Sequence, residues 1–579
     1  MRSENETIIS DKIKYAKGIY QGDSLSVMLF ILALNPLSYL IKQLKGYPAG
    51  QNRNINVTHN FFVDDLKLYN SSLNGMKKQL DLVTSFSRDI GMKFGEDKCA
   101  FIKIEKGNIN SDETNIKMNN LTIKQIQEGE SYKYLGQDEN ISYVGKVNKE
   151  NVIKEYLTRT KKIWKSNLSA FNKSIAHNMF AVPVLTPTFG ILDWTLQEIK
   201  QLDIKTRKLL SMCGSFHVNS DVDCLYIPRS EGGRGLRSIQ VSYESRIISL
   251  SHHLTKNIDR NYIINFINTS EENYCLRVSR ELQNSNNINV IQSDTPRAGG
   301  QKYIKAKIKE KSDLYRNKVM HGYFARSIEN DPKIDHKNSK SWTRNRYMTS
   351  HFEAYAFAIK DQELPTKYLK SIRNKESNVV DSKCRLCKNA NEDIIHIISH
   401  CPKMSVRYYL PVRHDVIAKT VYNALIKKQN INHNRGNFDT PEYIHKEGNT
   451  EYWWNVSVET ATRLQHNKPD IVVWDHDRKT CKVIEVSCPA DCNVSRKVDE
   501  KIEIYGPLIR NLQIMYNRYR FQMLTIIVGA LGTIPYSTVQ SLKDMDFSIK
   551  EVNKLTRKLQ QFSIQGTIKI CKTFLKFSE

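Results

Sequence analysis

The segment Cys384-Arg385-Leu386-Cys387, followed by eight residues to His396 and four more to Cys401, constrains this chain more than any other. Two thiols two residues apart form a tight corner, and His396 with Cys401 can close a tetrahedron around Zn²⁺; His400 is a rival fourth ligand. So small a unit buries little apolar surface, which makes any metal in it structural. The eleven cysteines are an odd number, otherwise scattered. That usage reads as metal binding in a reducing compartment, not as a disulfide framework.

A knuckle of this size has to lean on larger neighbours. The 579 residues exceed what one core can hold, and at about 150 residues per domain they imply three or four units. Lys and Arg number 87 against 61 Asp and Glu, a net charge of +26 that favours nucleic acid as partner. Residues 301–350 carry 13 of those cations against five acids, interleaved with Tyr303, Tyr315, Tyr323, Phe324, Trp342 and Tyr347. The cations can neutralise phosphates while the aromatics either stack on unpaired bases or form the core of a helical domain. Met1 to Lys14 is too polar for a secretory signal. The apolar run Leu25 to Leu34 ends at Asn35-Pro36, short of the roughly 20 residues a bilayer span needs, so no membrane partner is expected.

Patterning along the chain predicts an α+β multidomain protein. Thr58 to Tyr69 and Ala100 to Glu105 are strand-like, whereas Thr195 to Met212 repeats apolar residues at three- and four-residue spacing, as a helix does. Asn284 to Gly300, rich in Asn, Ser, Pro and Gly, predicts a linker. Lys468 to Val473 and Cys481 to Val486 predict two buried strands, and Val494 to Ile504 a helix.

Two acid pairs carry the chemistry. In Phe61-Phe62-Val63-Asp64-Asp65-Leu66-Lys67-Leu68-Tyr69, adjacent carboxylates stand between apolar flanks, as at a hairpin tip that could present Mg²⁺ to a primer end and a triphosphate. Upstream lies Gly18-Ile19-Tyr20-Gln21-Gly22-Asp23, and downstream come Gly91-Met92-Lys93-Phe94-Gly95-Glu96-Asp97-Lys98 and Tyr132-Lys133-Tyr134-Leu135-Gly136. The second pair is Asp470, in Lys468-Pro469-Asp470, and Glu485 inside Val483-Ile484-Glu485-Val486, with 14 residues between the acids. On paired strands they can converge on one Mg²⁺ that activates water. A lysine must orient the nucleophile or neutralise the transition state, yet the position two residues after Glu485 is Ser487.

In this order the first four motifs resemble the palm of reverse transcriptases of the non-LTR retrotransposon type. That resemblance assigns Mg²⁺ to Asp64 and Asp65, and sets Gln21 and Gly22 beside the template and the incoming nucleotide. Leu225-Tyr226-Ile227-Pro228-Arg229 with Gly232-Gly233-Arg234-Gly235-Leu236, and Glu353 to Gln362, resemble stretches of elements that carry a restriction-like endonuclease. The Arg413-His414-Asp415 stretch resembles the nucleic-acid-contacting neighbourhood of the family's knuckle. These endonucleases carry the missing lysine on the next helix, which implies Lys501, with Lys497 one turn earlier as its rival.

The resemblance implies a partial palm over 1–145, a helical thumb over 146–285, a basic linker over 286–380, a zinc knuckle over 381–445 and an α/β restriction-like endonuclease over 446–579. It implies nicking of chromosomal DNA and reverse transcription of element RNA from the exposed 3′ hydroxyl, using deoxynucleoside triphosphates, in the nucleus. The family also places an aspartate on a strand before the glutamine-glycine turn. Here the sole upstream aspartate is Asp11, in polar surroundings, so an N-terminally truncated chain with a weak or absent polymerase is expected. The alternative is a catalytically inactive, nucleic-acid-binding remnant of a decayed element.

Overall fold

The computed structural model describes residues 18–20, 22–50, 53–93, 95–110, 115–118, 121–139, 145–258, 262–269, 273–286, 295–346, 348–373, 381–429 and 441–577. The chain divides into two compact units, one of Met1–Asn151 with Ser251–Arg277 and one of Val152–Leu250 with Val278–Glu579.

The first unit is built of short strands and helices. Helix α1 (Ser24–Lys42) starts on the Asp23 carboxylate, which accepts from the Leu25 amide at 2.9 Å. It runs through Pro36 to Lys42, past the apolar run that ends at Leu34. Packing explains the overrun: Leu37 and Ile41 are buried against Val83 of α2 (Leu73–Asp89), and that burial offsets the one backbone bond a proline removes. By length and composition alone α1 is apolar enough to cross a membrane. Strands β1 (His59–Phe62) and β2 (Asp65–Leu68) pair as an antiparallel hairpin whose Phe61, Leu66 and Leu68 join the same cluster.

In the second unit, helix α3 (Leu196–Met212) is capped by a reciprocal Thr195–Glu198 box and buries Ile199, Leu202 and Leu210. Helix α4 (Pro296–Asn317) takes up the last five residues of the expected linker, of which 287–294 lie outside the described residues. Thr295 caps it through the Ala298 amide at 3.2 Å with Pro296 in its first turn, and Gly300 is an interior helical residue. A Cβ on Gly300 would lie 2.1 Å from the Ser249 hydroxyl, so the glycine permits close helix approach rather than flexibility.

The basic segment's aromatics turn out to be core. Tyr303, Tyr315, Phe324 and Trp342 are buried and Tyr323 packs beside them, so base stacking is not their role; Tyr347 lies outside the described residues. Tyr315, Phe324 and Trp342 share one cluster with Phe357 of α5 (Ser350–Lys360), Ile394, Ile397 and Ile398 beside the cysteines, and Ile564, Ile568 and Phe574 far down the chain. That shared core is why linker, knuckle and C-terminal region form one body.

Helix α6 (Asp415–Gln429) leads into five strands: β3 (Ile444–Glu447), β4 (Thr450–Trp454), β5 (Ile471–Asp475), β6 (Thr480–Ser487) and β7 (Arg520–Ile527). Their order is β3-β4-β5-β6-β7, antiparallel as far as β6 and parallel from β6 to β7. Helix α7 (Val494–Met515) makes the crossover that a parallel pair requires. Both faces of the sheet are covered. Ile471, Val473, Ile484 and Val486 pack with residues of α6, α8 (Tyr536–Asp544) and α9 (Ile549–Phe574), while Val472, Cys481 and Val483 pack with Leu508 and Leu512 of α7. Strand alternation puts Glu485 on the α7 side with Cys481 and Val483.

Candidate active sites and metal centre

The hairpin holds Asp64 and Asp65 at its tip, where Phe62 pairs with Asp65 and both carboxylates are exposed. Val63 adopts φ 58°, a left-handed conformation that β-branched residues avoid and that a two-residue turn here imposes. Behind the tip, Lys67 pairs with Glu139 and lies 4.9 Å from the Tyr134 ring. Tyr132 donates to the Lys98 carbonyl at 2.7 Å. Burial raises the phenols of Tyr132 and Tyr134, and the negative charge of Asp65 adds to it. The aspartate pair, the lysine-bearing segment and the Tyr132–Gly136 stretch thus meet in one place. Gly22 turns at φ 99° just before α1; Gln21 and Asp11 lie outside the described residues.

The second acid pair is assembled across strands. Because Ile471 stands opposite Ile484, Asp470 at the entrance to β5 reaches the next residues of β6. Its Oδ2 accepts from the Val486 amide at 2.8 Å, and its own amide lies 3.3 Å from Glu485 Oε2. Lys501 sits on the face of α7 that carries Val498 and Tyr505, and its ammonium meets Glu485 Oε1 at 2.5 Å. Lys497 pairs instead with Glu500, outside the acid pair. Tyr505 closes the site by donating to the Lys468 carbonyl at 3.2 Å. Asp475 and Asp477 bond to Arg478 and Asn449 in the turn beyond and take no part.

Sequence reasoning gave His414 no catalytic role, yet the fold brings it here. Its Nε2 is 3.3 Å from Asp470 Oδ2 and 3.1 Å from the Val486 carbonyl, and its Nδ1 is 3.0 Å from Asp415. Burial pushes the imidazole down, but Asp470 and Asp415 overcome it and hold its pKa well above the usual range. Asp470 is likewise raised by burial, and His414, the Val486 amide and Lys501 reverse this and keep it ionised. Glu485 goes the other way: burial and the Asp470 charge raise it, and Lys501 only partly offsets them. Two carboxylates with opposed proton affinities beside an ammonium suit an oxygen-ligated cation and a proton acceptor at the same centre. The sequence signal for His414 was the resemblance of the Arg413-His414-Asp415 stretch to the family's nucleic-acid-contacting neighbourhood, which gave it no catalytic role. Adjacent Arg413 is buried and donates to Ile398, Cys488 and Thr567, tying the cysteine region to the end of β6 and to α9.

The third centre lies upstream. Cys384, Cys387, His396 and Cys401 bring their four ligand atoms within 4.8 Å of one another. The Cys384 and Cys401 sulfurs are 3.9 Å apart, close to the edge of a tetrahedron with Zn–S bonds of about 2.3 Å. Burial raises the Cys387 thiol, but the amides of Asn389 and Ala390 outweigh it and lower its pKa, which favours the thiolate. His400 is exposed and turned to Asn493, out of the cluster. Arg385 and Glu392 brace the corner with a buried fork, 2.9 and 2.7 Å.

The two glycine- and glutamate-bearing stretches also prove to be one structure. Arg229 and Arg234 both grip Glu353, at 3.1 and 3.0 Å among other bonds, with all three side chains buried. Gly233 is required for packing, since a Cβ there would sit 2.3 Å from the Ile227 carbonyl, and so does not mark an approach for a nucleic-acid strand.

Residues 4–139 match the family described as reverse transcriptase (RNA-dependent DNA polymerase). Over 258 residues the chain is 24% identical to the retrovirus-related Pol polyprotein of the type-2 retrotransposable element R2DM of Drosophila melanogaster. That alignment covers 43% of this chain and 24% of the relative, so the chain spans about a quarter of the relative's length. The hairpin and its surroundings thus lie within the stretch that matches the reverse transcriptase family.

Proposed function

We propose that this chain combines RNA-directed DNA polymerase residues with a Mg²⁺-dependent DNA endonuclease of the restriction-like type, and that it serves target-primed reverse transcription. The observation that carries the endonuclease is the meeting of Asp470, Glu485 and Lys501 at the β5–β6–α7 junction. Asp470 and Glu485 would hold the ion there, as Asp64 and Asp65 would in the first unit. A divalent cation so held supplies Lewis acidity toward a phosphate and lowers the pKa of water. Lys501 places positive charge beside Glu485, where a phosphate in transition carries added negative charge. His414 fixes Asp470 in its ionised form and in one rotamer, as a positioning residue.

The cysteine cluster fits Zn²⁺ as a structural ion, and through Arg413 it braces the strand end that carries Glu485. Partners on this reading are the element RNA, the chromosomal target DNA and deoxynucleoside triphosphates, met in the nucleus, with no membrane among them. Plasmid nicking with Mg²⁺ tests the endonuclease: Asp470→Ala and Glu485→Ala abolish it if the reading holds, and undiminished nicking in both refutes it. Primer extension on RNA with Asp64→Ala as control tests the other half. A purified chain that neither nicks nor extends would instead be the inactive, nucleic-acid-binding remnant.

A further inference from the structure

Residues 455–470 join β4 to β5 with neither helix nor strand of their own. In a compact body such a connection longer than about 12 residues is uncommon and usually functional. This one is closed at its base and held down along its length. The Asn455 amide donates to the Asp470 carbonyl at 2.8 Å, the Val458 amide donates to the Asn467 carbonyl at 2.8 Å, and the Asn467 side chain donates back to the Val458 carbonyl at 3.2 Å. Val458 and Leu464 pack with Leu508 and Leu512 of α7, while Asn511 of that helix accepts from the Ala461 amide at 2.7 Å and donates to the Thr462 hydroxyl at 2.8 Å. The loop therefore lies on the α7 side of the sheet, where Glu485 stands, and it ends at Asp470.

Its outward side chains suit a polyanion. Arg463, His466 and Lys468 are exposed, and among the described residues neither Arg463 nor Lys468 has a carboxylate within ion-pair distance. Glu459, the loop's one acid before Asp470, is set apart from Arg463 by the anchored Ala461–Thr462 pair. The His466 ring stands 6.5 Å from that of Tyr505, whose hydroxyl holds the Lys468 carbonyl. Lys468 precedes Asp470 by two residues, at most about 7 Å along the chain. Cations carried on a pinned loop beside an acid pair lose little freedom on meeting phosphates, which favours a backbone contact at that place.

We propose that this loop grips the sugar–phosphate backbone of the DNA strand being nicked, with Lys468 on a phosphate beside the one addressed by Asp470 and Glu485, and Arg463 on one farther out. Both are positioning residues, because phosphate contacts set register and orientation without reading sequence. The assignment rests on the endonuclease reading, but the contact itself needs neither metal nor reaction.

Anisotropy titration of a labelled DNA duplex with the full chain in EDTA reads the contact alone, and nicking kinetics with Mg²⁺ read its consequence. Arg463→Gln/Lys468→Gln should weaken duplex binding by about tenfold and reduce the slope of log affinity against log salt by about two. It should raise KM for nicking by about tenfold and leave kcat within about twofold. Arg463→Lys/Lys468→Arg should retain binding and KM. Lys550→Gln/Lys554→Gln, which removes the same charge from exposed positions of α9 on the opposite face of the sheet, should leave KM unchanged. Comparable melting temperatures exclude misfolding as the cause. Unchanged affinity, salt slope and KM in Arg463→Gln/Lys468→Gln would overturn the proposal and leave the endonuclease standing. So would an equal rise of KM in the α9 variant, which would mean bulk charge, or a fall in kcat with KM unmoved. Weakened duplex binding by Arg463→Gln/Lys468→Gln in a chain whose parent does not nick would sink the endonuclease reading and keep the loop's contact with DNA.

Discussion

The two acid pairs of this molecule reach their geometry by opposite routes. Asp64 and Asp65 are adjacent in sequence, exposed, and held together by a two-residue turn that forces Val63 into a left-handed conformation. Asp470 and Glu485 lie 15 positions apart and are brought together by strand pairing, with an ammonium, an imidazole and backbone amides fixed around them. An exposed tip leaves its carboxylates in high dielectric, where charges interact weakly. An embedded pair is tuned by everything that touches it, which is how one carboxylate is held ionised while its partner gains proton affinity. Adjacency makes a site easy to read; embedding gives it its electrostatics.

That contrast can be broken at several points. Replacing both embedded acids, as Asp470→Asn with Glu485→Gln, should lower Mg²⁺-dependent nicking by about a thousandfold or more, equivalent to about 4 kcal/mol of barrier. Retained nicking would remove the embedded pair from catalysis. The second unit should pay heavily for the loss of a buried ionic partner: Glu353→Gln strands Arg229 and Arg234 and should cost about 3–5 kcal/mol in denaturant unfolding. A cost below about 1 kcal/mol would show that the cluster is hydrated.

The same unit should be sensitive to pH. Hydrogen bonds to Asp221 and Glu363 raise His321 to about 9 from 6.5, with burial opposing. A raised basic group stabilises the fold fully below its unfolded pKa, and that contribution disappears as pH climbs through the folded value. Stability should therefore decline between about pH 6.5 and 9 by about 3 kcal/mol, and His321→Gln should flatten that slope. His414→Ala, which removes the orienting partner of Asp470, should slow nicking by about ten- to a hundredfold without abolishing it. The smallest expected effect belongs to the exposed pair: Asp64→Asn or Asp65→Asn should shift the melting free energy by less than about 0.5 kcal/mol. A large loss of stability there would mean that the tip is embedded after all, and the comparison between the two pairs would fail.

Much of this was legible beforehand, for local reasons. The hairpin around Asp64, the helix from Thr195 and the strand bearing Glu485 appear where patterning put them, because turn chemistry, caps and alternation act within a few residues, while the other strand begins at Ile471, three residues later than expected, with Asp470 just before it. The cysteine spacing likewise carried its own geometry. Elsewhere distant packing decided. Only the ends of the expected linker Asn284 to Gly300 are described, and they are helical: Asn284, Ser285 and Asn286 end one helix and Pro296 begins another, where Gly300 is needed beside Ser245 and Ser249, while 287–294 lie outside the described residues. The aromatics of the basic segment could be base platforms or core, and only their burial among residues from the other end of the unit settled the matter.

What the sequence determined by itself was the inventory: which residues can ligate a metal, which turn, which alternate, and in what order. Tertiary structure decided the pairings. It placed Lys501 beside Glu485 and Lys497 beside Glu500, grouped Cys401 with the other cysteines and turned His400 to Asn493, brought His414 to Asp470, and set two arginines on Glu353. The reason is range. Backbone conformation responds to neighbours along the chain, whereas the environment of a charge is set by whatever the fold brings within a few ångströms, and no local pattern encodes that.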